Sequence, residues 1–270
     1  MTARRIHPPL AVGLLLPLLS VGASATVGCG GPKPTVRDQG FIEILRLRIT
    51  KVRNAIGETR EAITQSQGAP YLPELYLRLA ELLSEEAKYH YRVAFEREQR
   101  ATESLHVPQV RLLKEQAIGI YKQVLRRYPD AALADQALFN MAHEYRELGN
   151  FDEMRPVLER LVREHPNSPL RGEALLVLGD YHFDRSELDE SRTYYQQITT
   201  GEANRVTALA HYKLGWVWVN LGNCNRALDQ FETAIDKAQT AVAAEEAAIE
   251  AAKEAQEAAA RGEGPATGDG

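Results

Sequence analysis

Between Ala131 and Ile235 the chain states one pattern three times. Leu138, Met141, Ala142 and Tyr145 are followed by Met154, Leu158, Leu161 and Pro166. Leu175, Leu178, Gly179 and His182 are followed by Ser191, Tyr195 and Ile198. His211, Leu214, Gly215 and Trp218 are followed by Ala227, Phe231 and Ala234. Met141, Leu178 and Leu214 stand in the same place, 37 and 36 residues apart. A fixed period in this range marks units that cannot bury their apolar face alone and must stack on one another.

The spacing within each unit predicts two helices. The first sets a large apolar residue beside a small one, as in Met141-Ala142, Leu178-Gly179 and Leu214-Gly215. The small residue lets a neighbouring helix come close. The second helix repeats its apolar residues at steps of four and three, on one face. Gly149-Asn150 and Gly222-Asn223 break the chain between helices, because both residue types tolerate left-handed backbone. Tyr128-Pro129 and His165-Pro166 stop the second helix.

This pattern resembles the tetratricopeptide repeat. The third unit matches most fully, with Leu214-Gly215, Trp218, Ala227 and Phe231 in place. The resemblance implies an all-α solenoid of antiparallel helix pairs. The period exceeds the usual 34 residues, and the linkers Asn167-Ser168-Pro169 and Thr200-Gly201-Glu202 carry the excess. The longer linker is similar to that of an envelope subgroup: outer-membrane assembly lipoproteins, the periplasmic Tol-Pal coordinator and gliding-motility lipoproteins. The fold serves many unrelated binding tasks, so it specifies architecture better than function.

Residues 1–29 read as an export signal. Arg4 and Arg5 precede an apolar run from Leu10 to Val21, too short to span a bilayer. Two processing readings stand. Ala23-Ser24-Ala25 is a small-x-small site that would release a soluble chain at Thr26. Thr26-Val27-Gly28-Cys29 resembles a bacterial lipobox, with Cys29 lipidated, although Leu is usual where Thr26 stands. The lipid reading is favoured, because it gives Cys29 a purpose and residues 30–39 read as a flexible tether. Gly30 after the cysteine suggests, by resemblance to enteric sorting, the outer membrane.

Residues 40–66 form an amphipathic heptad helix with the seam Ile42, Leu45, Ile49, Val52, Ile56, Thr59 and Ile63. The seam suits an oligomerising coiled coil or a helix lying on the solenoid. The second is favoured: the flanking positions hold Arg46, Arg48, Arg53 and Arg60 with no acidic residue among them, and Gly57 weakens the seam. A degenerate first repeat covers 70–129, with Leu75, Leu79-Ala80 and Leu83, then Ala117, Tyr121, Val124 and Pro129. About 25 extra residues between them are expected to lengthen both helices, with a break at Val107-Pro108. The solenoid then runs through 131–166, 168–200 and 203–236, within overall bounds of 70–236. Residues 237–260 are expected to form an Ala/Glu-rich capping helix with a polar outer face, its outer half free to project into solvent, and 261–270 a disordered tail.

The net charge of -5 argues against a nucleic-acid partner. No catalytic constellation stands out, so the chain is read as a non-enzyme without cofactor or metal. His143-Glu144 begins like a zincin motif, but Glu147 stands where the second histidine belongs. Cys224 falls where the family packs an aromatic and is expected to be a buried, inert thiol.

Resemblance places a partner-binding groove on the first helices. Its residues are Phe139, His143, Arg146, Leu176, Asp180, Phe183, Tyr212, Trp216 and Val219. Trp218 belongs to the packing slot, whereas Trp216 stands beside Tyr212 on the other face, where exposed aromatics favour protein interfaces. The 237–259 helix or the Ile42–Ile63 helix would close this groove if it folded back. The functional expectation is a non-catalytic scaffold in the bacterial periplasm, tethered to the outer membrane through its N-terminal lipid, holding an envelope protein of an assembly or motility complex. The alternatives are a Tol-Pal-type coordinator and a subunit that binds peptidoglycan or carbohydrate.

Overall fold

A computed structural model describes residues 36–98, 107–129 and 132–261. The expected export signal with Cys29, most of the tether and the tail beyond Arg261 lie outside the described residues. Within them the chain is all-α: α1 Val36–Gln65, α2 Leu72–Glu98, α3 Pro108–Arg127, α4 Ala134–Glu147, α5 Phe151–Glu164, α6 Arg171–Asp184, α7 Leu188–Thr199, α8 Arg205–Asn220 and α9 Cys224–Ala260. It divides between Leu170 and Arg171 into two compact units.

In the N-terminal unit each helix from α1 to α5 packs on the next. The heptad seam of α1 is spent against α2. Ile42, Leu45, Ile49, Val52, Ile56 and Ile63 are all buried, and Ile42, Leu45 and Ile49 cluster with Val93 and Tyr89 of α2. Arg53, which lacks an acidic partner in its own segment, donates to Glu86 of α2 at 2.6 Å. The extra residues of the first repeat lengthen α2, which has 27 residues against 14 in α4. Pro108 opens α3 at the first helical position, where its missing N–H has no partner to lose.

In the C-terminal unit α6 packs on α7, α7 on α8, and α8 on α9. The small residue of each pair has the expected purpose. A Cβ placed on Gly179 would lie within 2.8 Å of three atoms of the Tyr195 ring, and one on Gly215 within 2.7 Å of three atoms of the Phe231 ring. The rings of the second helices therefore lie flat against the backbone of the first.

The turn between paired helices is the same structure three times. Gly149 N–H donates to Arg146 and Asn150 N–H to Tyr145; Ser186 to Phe183 and Glu187 to His182; Gly222 to Val219 and Asn223 to Trp218. This is a Schellman ending, which needs one residue at positive φ. Gly149 (φ 70°) and Gly222 (φ 74°) supply it, and in the middle copy Ser186 does (φ 65°).

Two expectations need correction. The C-terminal segment 237–260 is not a separate capping helix. It continues α9 for 37 residues without a break, because no Gly or Pro interrupts an Ala/Glu-rich run of high helix propensity. Its apolar stripe faces solvent, with Ile235 57%, Val242 53% and Ile249 68% exposed. Cys224 is exposed rather than buried. It is the first residue of α9, one turn ahead of the buried line that starts at Ala227.

Candidate repeat-face binding site

The nine expected groove residues divide between the units. Tyr212, Trp216 and Val219 lie on α8, and Leu176, Asp180 and Phe183 on α6, which packs directly on α8. Asn204 fixes the start of α8 with a capping box: its side chain accepts from Val206 and Thr207, and Thr207 Oγ1 accepts from the Asn204 N–H.

Tyr212 is 39% exposed. Its ring meets Trp216 edge-on at 6.3 Å, and Trp216 meets Phe231 of α9 edge-on at 5.7 Å. The Phe231 ring closes the Gly215 slot and supports the cluster from behind. Trp216 is thus partly a scaffold residue: half-buried, with its indole Nε1 buried and unpartnered within the structure. Trp218 faces elsewhere, between the guanidinium groups of Arg192 at 5.2 Å and Arg226 at 4.6 Å. Such stacking favours a cation by about 0.5–1 kcal/mol at exposed sites.

Leu176 is 8% exposed and contributes packing rather than surface. Phe183 and Val219 are half-buried. Asp180 is tied into the unit. It accepts from Tyr195 Oη at 2.5 Å and pairs with Lys213 of α8 at 2.8 Å. Burial, together with the Asp180 carboxylate, holds the Tyr195 phenol far above its ordinary range. This explains a tyrosine where the next repeat has Phe231: its hydroxyl links α7, α6 and α8 through one carboxylate.

In the N-terminal unit, Phe139 and His143 are half-buried on α4 and Arg146 is exposed. His143 stands 3.6 Å from Glu147. Burial lowers its pKa, and the neighbouring Glu147 opposes that shift. Sequence reasoning missed a buried ion pair in this unit. Lys114 of α3 is 1% exposed and donates to Glu144 at 2.6 Å and to Glu147. Burial works to raise the Glu147 carboxyl, but the hydrogen bond and charge of Lys114 outweigh it and hold it below its ordinary value. The signal was present: Lys114 falls between Val110 and Ala117 at helical steps, on the buried face of α3. A cavity of about 350 Å³ opens beside it, bordered by Lys88, Tyr91 and Arg92 of the long α2.

Among the described residues no group of three or more His, Cys, Asp or Glu stands together as a metal-binding cluster. No described helix is long and apolar enough to cross a membrane.

Two tetratricopeptide-repeat families match the sequence, one over residues 139–205 and one over 109–131. Over those two segments the chain is similar to the tetratricopeptide repeat, a helix-pair unit. No curated protein matches it significantly. Among solved structures it is similar to MamA from Desulfovibrio magneticus RS-1, at 16% identity over 62% of this chain and 96% of that one, with a TM-score of 0.39. It is similar to BtubC from P. vanneervenii, at 14% identity over 73% and 91%, TM-score 0.42. A tetratricopeptide repeat protein from Parabacteroides merdae aligns at 15% identity over 74% and 93%, TM-score 0.35. At such values the repeat assignment rests on the family matches and the period.

Proposed function

We propose that this chain is a non-catalytic scaffold of the bacterial cell envelope, anchored to the outer membrane through lipid on Cys29, which holds a periplasmic protein of an assembly or motility complex against the first-helix face of its repeats. The observation that carries the reading is the Tyr212–Trp216 edge. It presents an exposed phenol ring on a rigid backing of Trp216 and Phe231. Aromatic anchors on preformed supports lose little freedom on binding and dominate protein interfaces. The envelope placement rests on the apolar run Leu10–Val21 and the box ending at Cys29.

The experiment is cell fractionation combined with affinity capture. Wild type, Cys29→Ser and Tyr212→Ala are compared, with captured proteins identified by mass. The reading predicts that Cys29→Ser leaves the membrane fraction and that Tyr212→Ala stays there but loses one specific envelope protein. Wild type in the cytoplasmic fraction, or capture indifferent to Tyr212→Ala, would overturn it.

The Tol-Pal-type alternative needs a free α1 seam for oligomerisation. Burial of that seam against α2 within one chain counts against it. The carbohydrate alternative is favoured only by Tyr212, whose exposed ring could stack on a sugar; titration with soluble glycan fragments separates it from the scaffold reading.

A further inference from the structure

α9 carries an apolar line that nothing in the described residues covers. Leu228, Ile235, Val242 and Ile249 recur at seven-residue steps and are 59%, 57%, 53% and 68% exposed. Single exposed apolar residues are ordinary, but four at a heptad interval lie on one helical face and form a seam. Ala241 and Ala248 directly precede Val242 and Ile249, so that side of the distal seam is low and admits a closely packed helix. Acidic residues flank the seam, exposed Glu232 and Glu246 on the side away from the alanines and exposed Glu245 on the alanine side. The cation beyond them, Lys253, is paired with Glu250 at 3.6 Å.

A second α9 is a poor occupant, because Glu245 and Glu246 flank Val242 and would meet like charge across the seam. The fitting surface lies at the other end of the chain. The outer face of α1 exposes Ile44 and Leu47, with Phe41 at its edge, exposed but also met by Arg92 of α2 at 5.6 Å. Arg48 and Lys51, both exposed, follow Ile44 and Leu47 by four residues; Arg48 also reaches Tyr89 of α2, to whose hydroxyl it donates at 3.5 Å. The neighbouring acid, Glu43, is paired with Arg46 at 3.2 Å. One surface is an apolar line with an acidic flank, and the other is an apolar line with a basic flank.

We propose that α9 of one copy docks its Ile235–Val242–Ile249 seam on the Phe41–Ile44–Leu47 face of α1 in a second copy, so that the chain self-associates head to tail. The two surfaces differ, so the contact is heterologous. Each added copy presents a fresh α1 and a fresh α9, and the assembly can extend. The inference is independent of the partner face on α8.

Sedimentation velocity on the purified chain over a range of concentrations tests it. Wild type is expected to form concentration-dependent oligomers that weaken as salt rises. Val242→Glu/Ile249→Glu and Ile44→Glu/Leu47→Glu should each be monomeric, and their equimolar mixture should form dimers and nothing larger, because one competent contact remains. Lys51→Glu, which removes no apolar surface, should weaken assembly partly. A wild type that stays monomeric at every concentration overturns the proposal without recourse to any variant. So does persistence of oligomers in Ile44→Glu/Leu47→Glu, which would mean that α9 pairs with itself, or a mixture that fails to associate.

Discussion

Single positions carry most of what can be tested about the repeat. Ser186 holds the left-handed place that glycine holds at 149 and 222. A non-glycine residue there costs about 1–2 kcal/mol. Ser186→Gly should therefore stabilise the chain by about 1 kcal/mol in urea denaturation, and a loss of stability would show that the serine side chain is worth more than the strain. Gly215 is the reverse case, since a Cβ there meets the Phe231 ring. Gly215→Leu should cost at least about 1–3 kcal/mol through overpacking, with a lowered thermal midpoint as the readout. Trp216, expected from the sequence to be a free groove residue, rests on Phe231; the pattern showed its face but not the ring behind it.

Lys114 supplies a third residue-scale test. Lys114→Ala removes the cation that pairs with buried Glu144, and breaking such a pair costs about 3–5 kcal/mol. Replacing both partners, as Lys114→Met/Glu144→Leu, should recover most of it. The pH dependence follows from three lowered pKa values, those of His143, Glu147 and, through its hydrogen bond from Arg160, Glu164. In each case the unfolded chain binds the proton more readily. Stability is therefore fully present above the unfolded value and falls as pH drops through the folded one. For His143 the loss begins below 6.5, and for Glu147 and Glu164 below 4.5. Thermal midpoints should decline from neutral pH toward acid, and Lys114→Met should flatten the lower part of that decline.

At the scale of elements, the sequence was legible where a period or a stop residue spoke. The hairpins of 131–236, the break at Val107-Pro108 and the buried face of α1 follow from spacing and proline. The partners of that face did not. Glu86, which pairs with Arg53, lies 33 residues away, and nothing local links the two. The C-terminal segment shows the same limit: its composition announces a helix but does not tell whether that helix folds back or runs on. The exposure of residues 242–260 gives a direct prediction. A stop after Ala241 should leave the thermal midpoint within about 2 °C of wild type, since exposed residues contribute within about 0.5 kcal/mol. A large fall would mean that the distal half of α9 packs against the repeats.

For the whole molecule, the binding face was legible as a set of positions but not as a surface. Repeat spacing selected Tyr212 and Trp216 together and the structure joins them, yet the same rule selected Leu176, which is buried, and Asp180, which ties α7 to α8. Periodicity reports which side of a helix a residue occupies, and the depth of that side depends on the next helix. The central claim is that the α8 face holds a partner, and in-cell photocrosslinking from position 212 measures it directly. The account predicts a single crosslinked envelope protein of defined mass, lost when Phe231→Ala removes the backing of the cluster while the chain stays folded. Crosslinks only to this chain's own helices, or none at all, would contradict it.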